Sequence, residues 1–101
     1  MFIRKYVKEF TYNQVLENYS KEYLDYLDED NFELIFNILK GYRFYFIDDV
    51  VVKYLDIFEM DPDDVITGIE NLKAKLGEKF VYYIGNDLRY LDEILKIDDF
   101  E

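Results

Sequence analysis

Carboxylates are the side chains of this chain whose number and spacing could do chemistry. Glu22, Asp25, Asp28, Glu29, Asp30 and Glu33 crowd residues 22–33, and Asp56, Glu59, Asp61, Asp63 and Asp64 crowd residues 56–64; neither stretch holds a Lys or Arg. Such groups can shuttle protons, hold a hard cation or meet a basic partner. Acid–base catalysis by a carboxylate pair needs a partner group and a substrate cleft, but 23 acidic residues in 101 produce many pairs by chance. The chain has no His and no Cys, and its only Ser, Ser20, reads as lying inside a helix with no base beside it. No Gly-rich phosphate loop is present either. For calcium, no stretch sets oxygen ligands at alternate positions around a central Gly with a distal Glu. These observations argue against an enzyme and predict no metal and no cofactor.

Partner binding remains, once the carboxylates that helices need for themselves are set aside. Asp28, Asp61 and Asp98 each sit where a helix would begin. There a carboxylate accepts backbone N–H groups and meets the positive end of the helix dipole, worth about 1 kcal/mol apiece. Capping does not account for Asp25, Glu29, Asp30, Glu33, Asp56, Glu59, Asp63 and Asp64. Like charges at this spacing destabilise a helix surface, so a fold that keeps them has either a solubility reason or a basic partner.

The whole chain carries the same sign. Twelve basic against 23 acidic residues leave a net charge of −11, where a magnitude of about 2 to 8 is more usual for a small domain. Phosphate backbones and anionic membranes are repelled by it, and no run approaches the roughly 20 apolar residues a membrane span needs. The expectation is a cytoplasmic protein without membrane or direct nucleic-acid contact, whose partner is a basic protein surface of the kind nucleic-acid-binding proteins present; homodimerisation is left open. With half its residues apolar, a fifth aromatic and no Cys, the chain has the composition of one disulfide-free globular domain over residues 1–101.

Three near-repeats organise it. Tyr23-Leu24-Asp25, Tyr54-Leu55-Asp56 and Tyr90-Leu91-Asp92 recur at spacings of 31 and 36 residues, each followed by an acidic cluster: Asp28-Glu29-Asp30, Asp61-Pro62-Asp63-Asp64 and Asp98-Asp99. Arg43–Asp56 aligns with Lys79–Asp92 without a gap, matching Phe44 with Phe80 and Lys53 with Arg89. This spacing predicts two-helix units, with the Leu of each signature in the core and the Tyr half-buried with its hydroxyl in water.

Phe2, Ile3, Tyr6, Val7 and Phe10 suit a first helix, and Thr11 reads as the N-cap of a second, with Gln14 completing a capping box and Phe10 and Val15 a staple. That second helix carries Tyr12, Val15, Leu16, Tyr19, Tyr23, Tyr26 and Leu27. Asp28 and Asp61-Pro62 open two more, with stripes Phe32/Ile35/Phe36/Leu39 and Val65/Ile66/Ile69/Leu72/Leu76 that stop at Gly41 and Gly77. Over 43–59 and 79–97 the runs Val50-Val51-Val52 and Val81-Tyr82-Tyr83 have strand composition. Period decides for helix: Ile47, Val50, Val51, Tyr54, Leu55 and Phe58 share one helical face, as do Ile84, Leu88, Leu91 and Leu95. The fold class is therefore all-α, a compact five- to six-helix bundle or a short array of two-helix repeats. Arg4, Lys5 and Lys8 read as a solvated face, with a latch over an acidic turn as the alternative.

Alternating helices with Gly stops are similar to helical-repeat proteins that bind nucleic acid, but those present basic faces and this chain the reverse. In size and charge alone it resembles small phage or mobile-element inhibitors of the anti-CRISPR and anti-restriction type and nuclease-immunity proteins. That resemblance implies an inhibitor or decoy that sets its carboxylate edge, Asp25, Asp28, Glu29, Asp30, Glu33, Asp56, Glu59, Asp61, Asp63 and Asp64, into a basic nucleic-acid groove. The alternative is a structural or adaptor module that docks through its aromatic face. Salt separates them, because steered binding weakens with ionic strength and apolar docking barely responds.

Overall fold

Asp28 and Asp61 do begin helices. A computed structural model describes residues 1–98, with side chains through Lys96. In it the Asp28 carboxylate accepts the N–H groups of Asp30 and Asn31 at 2.9 and 3.3 Å, and that of Asp61 accepts from Asp63 at 2.8 Å. They open the two longest helices, α3 (Glu29–Gly41) and α5 (Pro62–Leu76), with Pro62 in the first turn, where its missing N–H costs nothing. The others are α1 (Glu9–Asn18), α2 (Lys21–Tyr26), α4 (Ile47–Lys53), α6 (Phe80–Asn86) and α7 (Asp92–Asp98), with 3-10 turns at Phe2–Lys5, Leu55–Glu59 and Leu88–Leu91. No strand occurs among the described residues.

Each long helix expected around a Tyr-Leu-Asp signature is broken. The helix expected over 11–27 is interrupted where Tyr19 turns extended and Ser20 starts α2, its Oγ accepting the Tyr23 N–H at 3.1 Å. Ser20 is thus a cap, not a mid-helix residue. Over 43–59 the helix stops at Tyr54 and resumes as 3-10, and over 79–97 it breaks at Asp87. These interruptions give seven α-helices among the described residues where five or six were expected. Leu24, Leu55 and Leu91 are buried as expected, as are Ile47, Val50, Val51, Phe58 and Ile84, but Leu16, Tyr26 and Ile66 of the expected apolar faces are exposed, the first two because the break at Ser20 leaves no continuous face over 11–27. Because the breaks fall at Tyr54 and Asp87, 33 residues apart, the gapless 36-residue alignment slips by almost one helical turn.

The N-terminus departs furthest from expectation. Phe2–Lys5 is a 3-10 turn, and α1 starts at Glu9 with Thr11 buried inside it. Its cap comes from another element, since the Asp48 carboxylate of α4 accepts the Lys8 N–H at 3.2 Å and the Thr11 hydroxyl at 2.8 Å. Phe10, freed from any staple, is exposed.

Units stack like on like: α1 packs on α4, α3 on α5, and α5 on α7. Phe32 of α3 stacks on Phe58 with ring centroids 4.5 Å apart, and Phe2 meets Phe32 edge-on at 5.3 Å. The Cα radius of gyration, 13.2 Å, equals the roughly 13 Å of a compact chain this long, so the units close into a bundle and not an open array.

Helix ends show where glycine matters. Gly41 is the last helical residue of α3 and the left-handed turn falls on Arg43, φ 66°. Gly77 ends α5 at φ 86°, ψ −164°, an extended region that is essentially glycine-only, not the left-handed helical cap expected. Gly77→Val should therefore destabilise by about 1–3 kcal/mol, seen as a lowered urea midpoint at unchanged slope; an unchanged midpoint would mean the turn relaxes freely.

Candidate partner-binding edge

The two acidic stretches are brought together by one side chain. Asn31, in the first turn of α3, donates both amide hydrogens across to the turn before α5, to the Phe58 and Met60 carbonyls at 2.8 and 3.0 Å. The N-terminal ends of α3 and α5 thereby lie beside each other. Tyr26, Asp28, Asn31, Phe58 and Glu59 border a shallow depression of about 280 Å³ between them.

Folding also supplies partners that neither stretch contains. Lys5, from the N-terminal turn, pairs with Glu29, and Lys21 pairs with Asp25 at 3.5 Å, both pairs exposed. The expectation of carboxylates without counter-charge is corrected at these two positions, because Lys21 lies one residue outside the stretch and Lys5 arrives by tertiary packing. Tyr6 rests on Phe32 and Phe36 and donates to Glu33 at 3.0 Å and Glu29 at 3.5 Å. The N-terminal segment is thus a latch over the acidic turn, and only part of it a solvated face.

Tyrosines do work that the few cations cannot. Tyr23 donates to Glu59, Tyr42 to Glu70 at 2.6 Å and Tyr19 to the Val52 carbonyl at 2.8 Å. The three signature tyrosines are half-buried as expected, but the Tyr23 hydroxyl is tied to Glu59 and not left to water. A phenol beside a carboxylate must ionise next to a like charge, so its pKa climbs. Burial and then the Glu33 bond push Tyr6 to about 12; burial and then Glu70 do the same for Tyr42. Burial followed by Glu59 raises Tyr23, and burial followed by Asp92 raises Tyr54. A raised phenol pKa stabilises the fold in full below the unfolded value near 10 and is lost as pH rises through the folded value. In ultraviolet titrations, the component missing from Tyr6→Phe and Tyr42→Phe variants should ionise only near pH 12, together with loss of helix. Full ionisation by pH 11 with the helices intact would contradict these bonds.

The remaining carboxylates divide by use. Asp28 and Asp61 cap helices, Asp25 and Glu29 are ion-paired, Glu33 and Glu59 accept from tyrosines, and Asp64 is half-buried and engaged. Asp30, Asp56 and Asp63 are exposed. Of the third cluster, Asp98 is the last residue of α7, and the helix start expected from Asp98 and Asp99 lies outside the described residues. Among the described residues no group of three or more acidic side chains converges as metal ligands would, and no helix is long and apolar enough to cross a membrane.

Sequence reasoning missed Asn31 and Lys21, and held Lys5 only as the alternative of a latch over an acidic turn. A lone Asn in a helix carries no pattern that reveals a bond to a turn 27 residues away, whereas the Lys21–Asp25 spacing of four was available. The edge is a charged rim formed by two helix starts, and no protein-family model, curated protein or solved structure matches the chain.

Proposed function

We propose that this chain is a decoy whose carboxylate edge occupies the basic nucleic-acid-binding surface of another protein, as anti-CRISPR, anti-restriction or nuclease-immunity proteins would. The observation that carries the reading is the pair of hydrogen bonds from Asn31, which joins residues 28–33 and 56–63 into one anionic rim. A partner's arginine or lysine fits the depression between Asp28 and Glu59, with the Tyr26 ring at its border. Nucleic acid itself is repelled by the net charge of −11. On this reading the protein is no enzyme and acts in the compartment of its target, the cytoplasm.

Asp30→Asn, Asp56→Asn and Asp63→Asn together remove three exposed charges that neither cap a helix nor hold a tyrosine. The fold should be unchanged or slightly stabilised by reduced repulsion, while binding slows about tenfold or more at low salt through the association rate. The check is capture from lysate by wild type and by the triple variant at low and moderate salt, followed by elution with short duplex DNA. Equal retention of the same proteins by both, with no displacement by DNA, would sink the decoy. The edge would then serve solubility and the adaptor reading would replace it. That second reading has its own support in the exposed rings of Tyr45, Tyr82 and Tyr83.

A further inference from the structure

Opposite the acidic edge the molecule has a second, differently charged end. The C-terminal end of α3 meets α5 and α6 at Tyr42, whose hydroxyl donates to Glu70 and whose ring lies 6.1 Å edge-on from Phe80, with Lys73 5.9 Å over the Phe80 ring. Lys40 and Lys73 lie near the C-terminal ends of α3 and α5, Arg43 just past α3 and Lys79 just before α6, and no described residue forms an ion pair with any of them. The other carboxylates of α3 and α5 stand toward their N-terminal ends (Glu29, Asp30, Glu33, Asp63, Asp64); beside these cations stand Glu70, already accepting from Tyr42, and Glu78. A 13-residue α3 separates the two ends by about 20 Å, more than twice the screening length of about 8 Å at physiological salt. Each end therefore presents its own sign.

Exposed aromatics cluster at this cationic end: Tyr45 is 68 % exposed, Tyr82 58 % and Tyr83 43 %. Tyr45 is held there, because it lies across α6 at Gly85, where an added Cβ would sit 2.7 Å from the Tyr45 Cζ and 2.9 Å from the Phe46 Cδ1. A glycine inside a helix costs about 1 kcal/mol, and here it lets an exposed ring lie flat. Dipole complementarity at the ends of α3 and α5 explains Lys40 and Lys73. It explains neither Arg43 and Lys79 nor three exposed tyrosines.

We propose that this cationic, tyrosine-faced end docks the acidic edge of a second copy, so that the protein associates head to tail. A strand of nucleic acid fits less well, since it would run past four cations onto an otherwise acidic surface. The edge offers what the patch lacks: Asp30, Asp56 and Asp63 for the cations, which have no ion pair among the described residues, and the 87 % exposed ring of Tyr26 for the tyrosines. Such a contact joins two different surfaces, so it does not close on itself and propagates with concentration. It would also cover the edge in stored protein, whether or not that edge takes a foreign partner.

Complementation by sedimentation equilibrium tests this. Wild type should gain mass steadily past the dimer as concentration rises. Neutralising the edge (Asp30→Asn, Asp56→Asn, Asp63→Asn) or the other end (Lys40→Gln, Arg43→Gln, Lys79→Gln) should give two monomeric proteins with unchanged circular dichroism. Mixed one to one, they should form a dimer that grows no further, since each retains the half that the other lost. A monomeric wild type, association of either variant alone, or a mixture that stays monomeric overturns the proposal. Should a charge variant misfold, Tyr45→Ser with Tyr82→Ser replaces it as the variant altered at the cationic end, with the same readings. The Lys40/Arg43/Lys79 variant keeps the acidic edge, so loss of self-association and loss of decoy activity are scored separately.

Discussion

Gly68→Val is expected to be among the most damaging single substitutions in this protein. Gly68 lies in the middle of α5, buried where α5 packs on α7, and a Cβ built there falls 2.8 Å from Cγ1, 3.1 Å from Cγ2 and 3.2 Å from Cα of Ile94. Ile94 is itself buried. Its side chain has no empty space to swing into, and its backbone can retreat only if α7 moves away. Overpacking of this kind costs about 1–3 kcal/mol, and the second Cγ of valine pushes the expectation to about 3 kcal/mol, a drop of roughly 15 °C in Tm for a domain of this size. Ile94→Ala combined with Gly68→Val should return a third to a half of the loss, because two of the three close atoms belong to the Ile94 side chain. A double variant no better than the sum of the singles would place the strain elsewhere.

Asn31→Asp should cost about as much, and its cost should depend on pH. The substitution replaces two donated hydrogen bonds with a carboxylate facing the Phe58 and Met60 carbonyl oxygens, beside Asp28 and Glu59. A charged group left against acceptors costs about 3 kcal/mol or more, whereas Asn31→Ala forfeits the bonds alone, about 2 kcal/mol. Carbonyl dipoles and neighbouring carboxylates favour the protonated acid, so the new Asp has its pKa raised in the folded state. Its penalty is accordingly absent below the unfolded value near 3.9 and grows as pH rises through the folded value. Urea midpoints at pH 3.5 and pH 7 should therefore converge on the Asn31→Ala variant at the lower pH and fall well below it at the higher. Identical midpoints for the two variants at both values would mean that Asn31 does not bridge the turns.

Both residues mark where local reading ended. Asp28, Asp61, Pro62 and Gly77 were legible because a cap, a first-turn proline and a positive-φ glycine act on backbone within a turn of themselves. The buried faces of α3, α4 and α6 were legible because helical period depends only on spacing. Thr11 misled because it has the composition of a cap, yet Asp48 supplies the acceptor from α4. Ser20 was overlooked although its spacing to Tyr23 is an ordinary capping signal. Of the candidate edge, every carboxylate could be found in advance, but not what each one does: Lys5, Tyr6 and Tyr23 reach Glu29, Glu33 and Glu59 only after the chain has packed.

By itself, then, the sequence determined an all-α fold, most but not all of its core-facing residues, two helix starts and a strongly negative charge, all properties set by neighbours within about one helical turn or by composition alone. Tertiary structure alone decided that glycine is required at positions 68 and 85, that tyrosines serve as counter-partners for carboxylates, and that two acidic stretches become one edge. Each of these depends on groups from 23 to 36 residues away or on the space between two elements. A hydrogen bond or a close contact over such a separation exists only after loop closure has been offset by packing, and nothing in the local sequence records it.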